Sequence, residues 1–303
     1  MEEKKTSFID LTYDQPIFDC VFSVGCFTED KFLASGTAVV IAPNLAITAK
    51  HVVEDFIKKF QNIDLTQINR NEGNTKIEIL NTNLIALQYQ DNGHSLNIWR
   101  TQEVYFCLHT DIAFLFLLPF NKESENFKWE TCNIDLVPPK VGSKIVGFGF
   151  HSSSIQKEIN EFGEITLRWK DQPATTIGEV IEYHPVKRDE SRINFPCLQT
   201  NAKFDGGMSG GPVFNETGHL CGLICSSLEP SNKDEEYVSY IALIWPCLIT
   251  QLNIPYKELI NTMPYPALHL AQFGSINALG IERITIEKKN DDVWYSSIKF
   301  NCV

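Results

Sequence analysis

The first 60 residues alternate between short apolar runs and turn-forming residues. The runs are rich in Val, Ile and Phe and cover residues 18–27, 32–41 and 45–48. Pro43 and Asn44 separate the second run from the third. Apolar runs of this length, with such residues between them, are typical of β-strands. Because the runs follow one another closely, they predict an antiparallel barrel or sandwich.

A different spacing begins directly after the third run. Between residues 51 and 60 the apolar side chains recur at helical intervals, which predicts a short amphipathic helix. Further along, Asp111 introduces residues 112–118, a run that is apolar on both faces and therefore predicts a buried strand. Other strands of this half are predicted at residues 76–80, 84–89 and 103–108.

The second half repeats this kind of pattern after a Pro-Pro pair at residues 137–140, the best candidate for a linker. The strands predicted there are residues 144–150, 175–182, 198–201, 211–214, 220–226 and 238–243. From about residue 255 the pattern predicts a short helix at 268–273 and a terminal hairpin of residues 280–288 and 293–300. We therefore divide the chain into a leader, two β-units and a C-terminal extension, at residues 1–15, 16–138, 139–254 and 255–303.

The composition is that of an ordinary globular protein with an acidic surface. Of the 303 residues, 43% are apolar, and the mean hydropathy is -0.13. That is enough apolar material for a sizeable core. The formal net charge of -12 repels phosphate backbones and anionic lipid headgroups, so neither nucleic acid nor a membrane is an expected partner. The N-terminal residues lack the apolar core of a secretion signal.

The chain contains nine cysteines, and an odd number leaves at least one thiol unpaired. Together with the missing secretion signal, this predicts a cytoplasmic protein with free thiols. No Cys-x-x-Cys pair or Cys/His cluster has the spacing of zinc ligands, so neither a metal nor another cofactor is expected. Each cysteine can also be interpreted simply as a small buried apolar residue.

Three segments carry residues suited to nucleophilic catalysis. His51 stands where a predicted strand meets the predicted helix, so its imidazole can be held rigidly at a surface. Asp111 leads into a buried strand, which is costly unless its carboxylate is hydrogen-bonded. Ser209 lies in Gly-Gly-Met-Ser-Gly-Gly-Pro, where glycines allow the N–H groups of Gly207 and Ser209 to converge on one point. Each segment also has a simpler interpretation: a structural histidine, a turn or capping aspartate, and a glycine-rich hairpin turn.

Taken together, the three segments resemble the signature blocks of trypsin-like serine peptidases. The blocks here are Thr48-Ala49-Lys50-His51, Asp111-Ile112-Ala113 and Gly207-Met208-Ser209-Gly210-Gly211-Pro212. The order His, Asp, Ser is that of chymotrypsin-type chains, not that of subtilisins or α/β-hydrolases. The blocks are most similar to those of the bacterial HtrA/Deg and glutamyl-endopeptidase-like branch, and the resemblance covers roughly residues 17–250.

The resemblance implies an all-β fold of two antiparallel six-stranded barrels, with short helices and a C-terminal extension. It implies that Ser209 attacks the scissile carbonyl, that His51 takes the serine proton, and that Asp111 holds the imidazole. The N–H groups of Gly207 and Ser209 would form the oxyanion hole. The residues that the resemblance places at the substrate pocket are Lys203, Ile224, Cys225 and Ser226.

The chain departs from the family pattern in several places. Val52 follows the histidine where animal members usually carry Cys, and Met208 precedes the serine where they carry Asp. The C-terminal extension is too short for the PDZ domain that HtrA enzymes append. A cation at Lys203 would favour acidic side chains in the substrate, unless the lysine points to solvent.

The sequence therefore predicts a serine endopeptidase that acts on a protein or peptide, with an activating protein partner as a further expectation. A non-catalytic protein-binding module on a peptidase fold is the alternative, although the complete set of triad residues and oxyanion glycines argues against it. A third interpretation is an assembly protein whose terminal hairpin docks to a larger complex, which is compatible with catalysis.

Overall fold

The computed structural model describes residues 8–27, 32–60, 76–79, 84–90, 95–125, 127–159, 165–228, 237–256, 259, 264–290 and 293–298. Its strands in chain order are β1 (Phe8–Asp10), β2 (Val21–Phe27), β3 (Phe32–Ala42), β4 (Leu45–Ala49), β5 (Lys76–Glu78), β6 (Leu84–Gln90), β7 (Ser95–Phe106), β8 (Ile112–Pro119), β9 (Ile134–Asp135), β10 (Lys144–Ile159), β11 (Ile165–His184), β12 (Cys197–Thr200), β13 (Pro212–Phe214), β14 (Leu220–Leu228), β15 (Val238–Leu243), β16 (Gln251–Leu252), β17 (Tyr265–Pro266), β18 (Ala278–Leu279), β19 (Ile284–Asn290) and β20 (Val293–Ile298). The α-helices are α1 (Lys50–Phe60), α2 (Lys122–Glu125) and α3 (Leu268–Gln272), and short 3₁₀ helices cover Pro16–Asp19, Trp245–Ile249 and Ile281–Arg283.

The first barrel is a closed antiparallel sheet of six strands. Its order is β7-β6-β2-β3-β4-β8, and β8 pairs back with β7 to close the sheet. The apolar runs point into this barrel: all five residues of β4 are buried, and Ile112 to Leu115 of β8 are buried on both faces. Helix α1 confirms the helical spacing seen in the sequence, because Val52, Val53, Phe56 and Ile57 are buried against the barrel.

The second barrel closes in the same way. Its six strands are ordered β13-β10-β11-β12-β15-β14, and β13 pairs with β14. The predicted all-β fold of two antiparallel barrels is therefore confirmed. Strand β9 adds to this sheet by pairing in parallel with β14, at Ile134 and Leu220. The segment that connects the barrels thus contributes a strand to the second sheet before the first strand of that barrel begins.

Two features of the second barrel were not predicted. Strands β10 and β11 form a long hairpin, in which pairing continues from Lys144–Glu179 out to Ile159–Ile165. Strand β1 lies within the predicted leader and pairs with β11, at Phe8 and Thr176. The first seven residues of that leader lie outside the described part of the chain.

The C-terminal extension contains the two elements predicted for it. Helix α3 covers Leu268–Gln272, and β19 and β20 form an antiparallel hairpin whose turn residues 291–292 lie outside the described part. Strand β20 lies against the 3₁₀ helix Trp245–Ile249 at the end of the second barrel. No helix in the described ranges is long and apolar enough to cross a membrane.

The eight cysteines within the described residues are all buried and carry free thiols. Cys302, the ninth, lies outside those residues. The Sγ atoms of Cys20 and Cys132 approach to 3.0 Å, so one thiol donates a hydrogen bond to the other. These thiols pack as small apolar side chains within the cores of the barrels.

Candidate active site

Pairing between β4 and β8 brings His51 and Asp111 together. Ala49, the last residue of β4, is paired with Ile112, the first residue of β8. His51 follows β4 and Asp111 precedes β8, so both residues lie at the same end of the barrel. The imidazole Nδ1 is 2.7 Å from Asp111 Oδ2, and the His51 backbone N–H donates to Asp111 Oδ1 at 3.1 Å. The carboxylate therefore fixes the histidine through both of its oxygens.

The environment of His51 sets its affinity for a proton. Burial alone would lower the pKa of the imidazole, but the hydrogen bond and the negative charge of Asp111 outweigh this effect. The charges of Asp55 and Glu54 act in the same direction, and the pKa of His51 is raised above its ordinary value. With Nδ1–H donated to Asp111, the lone pair is on Nε2. The imidazole side chain is 39% exposed.

Asp111 receives a further hydrogen bond from the second barrel. The Cys225 thiol donates to Asp111 Oδ2 at 3.1 Å. The pairing of β14 with β15 skips a residue between Ile224 and Ser226, so Cys225 occupies a β-bulge, which re-aims its side chain toward the first barrel. Burial and the neighbouring carboxylate raise the pKa of this thiol well above its ordinary range, so it stays protonated and acts as a donor.

The loop that carries Ser209 is held in shape by two glycines with left-handed backbone. Gly207 has φ +90° and lies in a turn that Met208 N–H closes on the Asp205 carbonyl at 3.2 Å. Gly210 has φ +82°, and a Cβ there would clash with the Thr37 carbonyl oxygen. Glycine is therefore required at both positions by conformation, and at Gly210 also by the close approach of the first barrel.

The structure brings the serine loop against strand β3, which packs on helix α1 one residue after His51. Thr37 N–H, on β3, donates to the Ser209 carbonyl at 2.9 Å. A Cβ added to Gly36 would lie 2.8 Å from that carbonyl oxygen and 2.7 Å from the side chain of Val52, the residue after His51. Ser209, which is half-buried, thus lies where the loop of the second barrel contacts β3 of the first barrel.

The N–H groups of the serine loop divide into two sets. Those of Met208, Gly210 and Gly211 donate to the carbonyls of Asp205, Ile224 and Met208. Within the described residues, the N–H groups of Gly207 and Ser209 donate to no protein acceptor. These two are the donors that the sequence assigned to an oxyanion hole.

Met208 is fully buried beneath this loop. Gly149 on β10 leaves room for it, since a Cβ there would lie 2.8 Å from Met208. The thioether sulfur accepts the Asp205 N–H at 3.4 Å, and no charge is offered to a cation at this position. The residue acts as an apolar support under the turn.

The four residues assigned to the substrate pocket occupy different environments. Lys203 is only 23% exposed, and its ammonium lies 3.3 Å from Asp205 Oδ1 and over the Tyr237 ring. The positive charge of Lys203 is therefore paired with the Asp205 carboxylate, and a substrate at this position would meet both charges. Ile224 is buried, Cys225 faces Asp111, and Ser226 is half-buried on the bulged stretch of β14.

Sequence reasoning missed the part played by Thr37. It lies in the apolar run of residues 32–41, where a threonine is most simply interpreted as a core residue. Only the structure reveals that its hydroxyl donates to the Gly207 carbonyl at 2.9 Å, across the cleft. No signal in the sequence identifies this contact, because it joins residues that are far apart in the chain.

Comparison with known proteins agrees with this architecture. The sequence profile of the trypsin-like peptidase domain matches residues 36–223, more than half of the chain. The chain therefore belongs to the trypsin-like peptidase family. No curated protein sequence matches it.

Two solved structures illustrate the structural neighbours. The active form of the Rv3671c protease from M. tuberculosis is 15% identical, with 75% of this chain and 77% of that chain covered and a TM-score of 0.44. Deg5 is 16% identical, with 75% of this chain and 85% of that chain covered and a TM-score of 0.44.

Proposed function

We propose that the protein is a serine endopeptidase that forms an acyl-enzyme on Ser209. The observation that carries the proposal is the pair of N–H groups on Gly207 and Ser209 that have no acceptor within the described residues, in a chain that also holds a hydrogen-bonded His51 and Asp111. Donors already in place, at the point where negative charge develops, stabilise a tetrahedral intermediate more than they stabilise the substrate. A loop evolved only for binding would have no need of this combination.

The proposed mechanism assigns one task to each group. His51 Nε2 takes the Ser209 hydroxyl proton as the oxygen attacks the substrate carbonyl. Asp111 keeps the Nδ1–H tautomer and stabilises the imidazolium that forms. The N–H groups of Gly207 and Ser209 receive the oxyanion, and His51 then returns the proton to the leaving amine. Water repeats the sequence to release the acyl group.

The substrate of this mechanism is a protein or peptide, and Lys203, Ile224, Cys225 and Ser226 are proposed to lie at its pocket. The buried free thiols support a reducing compartment, the cytoplasm, as the place of action. An activating protein partner remains part of the proposal, because Gly206 is exposed and, with Gly207, forms the centre of the turn between Asp205 and Met208. Order in such a loop can be controlled by binding.

A fluorophosphonate probe and a fluorogenic peptide test the proposal together. We expect the probe to label Ser209 in the wild-type protein, and Ser209→Ala and His51→Ala to lose both labelling and cleavage by several orders of magnitude. Ser191→Ala changes an exposed serine that hydrogen-bonds Asp189, and serves as the control that keeps both signals. Wild-type cleavage rates in Ser209→Ala would refute the proposed function, and a pure binding module would show neither signal in any variant.

A further inference from the structure

Thr37 uses each of its polar atoms in a contact across the cleft or within the first barrel. Its N–H donates to the Ser209 carbonyl at 2.9 Å, and its hydroxyl donates to the Gly207 carbonyl, also at 2.9 Å. The same hydroxyl oxygen accepts the Phe150 N–H from β10 at 3.1 Å. The Thr37 carbonyl accepts the Thr48 hydroxyl at 2.6 Å, which secures the strand itself.

The carbonyls that Thr37 binds belong to the two residues whose N–H groups form the proposed oxyanion hole. The peptide group between Gly207 and Met208 is fixed at both polar atoms, since its N–H binds the Asp205 carbonyl and its C=O binds the Thr37 hydroxyl. Gly207, at φ +90°, has no side chain to restrain its backbone. The hydroxyl therefore supplies the restraint that a glycine lacks.

We infer that Thr37 is the positioning residue that sets the oxyanion turn, acting from the first barrel on donors that belong to the second. This inference rests on the proposed function and names how its oxyanion hole is held in shape. Thr37 is fully buried, so its hydroxyl hydrogen bonds do not compete with solvent. Without them, the peptide group between Gly207 and Met208 keeps only its hydrogen bond to the Asp205 carbonyl. The φ and ψ angles of Gly207, which connect this peptide to the one that carries the Gly207 N–H, then lose a restraint.

The test compares Thr37→Val, which keeps the shape but removes the hydroxyl, with Thr37→Ser, which restores it. We expect Thr37→Val to lower kcat by up to about 100-fold with little change in KM, because a misplaced catalytic group costs rate and not ground-state binding. The affinity for a peptide aldehyde, which resembles the tetrahedral intermediate, should fall in parallel with kcat. Thr37→Ser should recover most of both losses.

Thr101→Val is the matched control. Thr101 is also fully buried in the first barrel, but its hydroxyl has no partner within the described residues. Thermal unfolding of each variant reports whether the fold persists, and Thr37→Ala replaces Thr37→Val if the latter does not fold.

The outcomes separate this inference from the proposed function. A folded Thr37→Val with wild-type kcat and aldehyde affinity, alongside an inactive Ser209→Ala, would overturn the role of Thr37 alone. An equal loss of substrate and aldehyde affinity would also overturn it, because that is the signature of general distortion. Cleavage that persists in Ser209→Ala would instead remove the proposed function itself.

Discussion

Cys225 and His51 share one oxygen atom of Asp111. The thiol donates to Oδ2 at 3.1 Å, and His51 Nδ1 is 2.7 Å from the same oxygen. The thiol comes from the second barrel and the imidazole from the first. The carboxylate is thus oriented by both barrels, although the sequence suggested that Cys225 would line the substrate pocket.

Removing this thiol should impair the orientation of Asp111. We expect Cys225→Ala to lower kcat/KM about fivefold, which corresponds to about 1 kcal/mol for a weak donor to a charged group. Cys225→Ser should recover the loss, since a hydroxyl is the stronger donor. Peptide cleavage kinetics for both variants provide the measurement.

Cys221→Ala is the control for Cys225. Cys221 lies on the same strand and is also buried, but its thiol donates to the Val213 carbonyl at 3.3 Å and not to Asp111. If both alanine variants lose activity to the same extent, the effect comes from packing of β14 and the orienting role is wrong.

Asp111→Asn should change both the rate and its dependence on pH. Asparagine cannot stabilise the imidazolium, so a loss of about 10⁴ in kcat is expected by analogy with the trypsin triad. The raised pKa of His51 should fall toward or below its ordinary value, because the charge that raised it is gone. The neutral imidazole is the active base, and it is protonated as the pH falls through its pKa. The acid limb of the residual kcat/KM should therefore move to lower pH.

Asp55→Asn provides the comparison for this pH profile. Asp55 raises the pKa of His51 only through its charge, without a hydrogen bond to the ring. Its replacement should shift the acid limb slightly in the same direction while the rate at high pH is retained. An acid limb that stays in place in Asp111→Asn would contradict the assigned pairing.

Gly207→Ala, compared with Gly218→Ala, should distinguish displacement of an oxyanion donor from the general cost of a left-handed backbone. A Cβ at Gly207 would clash with the Phe150 carbonyl oxygen, so the turn has to move and its N–H is displaced. We expect kcat to fall by about 10²–10³, as for the loss of an oxyanion donor. Gly218→Ala carries the same left-handed strain, at φ +76°, but has open space around it. It should lose about 1 kcal/mol of stability and keep its kcat. Equal losses of kcat would show that strain alone is responsible.

Activity should not require a newly formed N-terminal amine. In animal members an ammonium pairs with an aspartate before the serine, but Met208 is apolar and fully buried. The N-terminal strand Phe8–Asp10 is instead held on β11. We expect a short N-terminal extension to leave peptide cleavage unchanged when it is assayed beside the unextended protein. Activity that is lost in the extended form and restored by trimming would show that a free amine is needed.

Local pattern was sufficient to predict short antiparallel strands and the helix at Lys50–Phe60, since apolar runs and helical spacing are visible in consecutive residues. The prediction of two six-stranded barrels came from the resemblance to trypsin-like peptidases. Local pattern also placed His51 and Asp111 at the ends of strands, because apolar runs lie directly beside them. The full length of the β10–β11 hairpin was not predicted. The strands predicted there ended at residue 150 and began again at residue 175, whereas the pairing continues out to Ile159 and Ile165.

The contacts between the barrels could not be predicted from the sequence either. Thr37 and Cys225 are each ordinary core residues on an apolar strand, and their partners are Gly207 and Asp111 in the opposite barrel. The bulge that aims Cys225 depends on the register of β14 with β15. Such contacts are set by how two sheets dock, which no single segment encodes.

The barrels exchange restraints across the cleft, since the first contributes Thr37 to the serine loop and the second contributes Cys225 to Asp111. Neither half alone therefore holds the complete proposed site, whose proposed nucleophile lies in one barrel and proposed base in the other. If the chain were divided between the barrels, we expect each fragment alone to lack hydrolytic activity. Mixing them would restore hydrolysis only as fast as the halves reassemble, so the protein is suited to a split-reporter format in which turnover measures association.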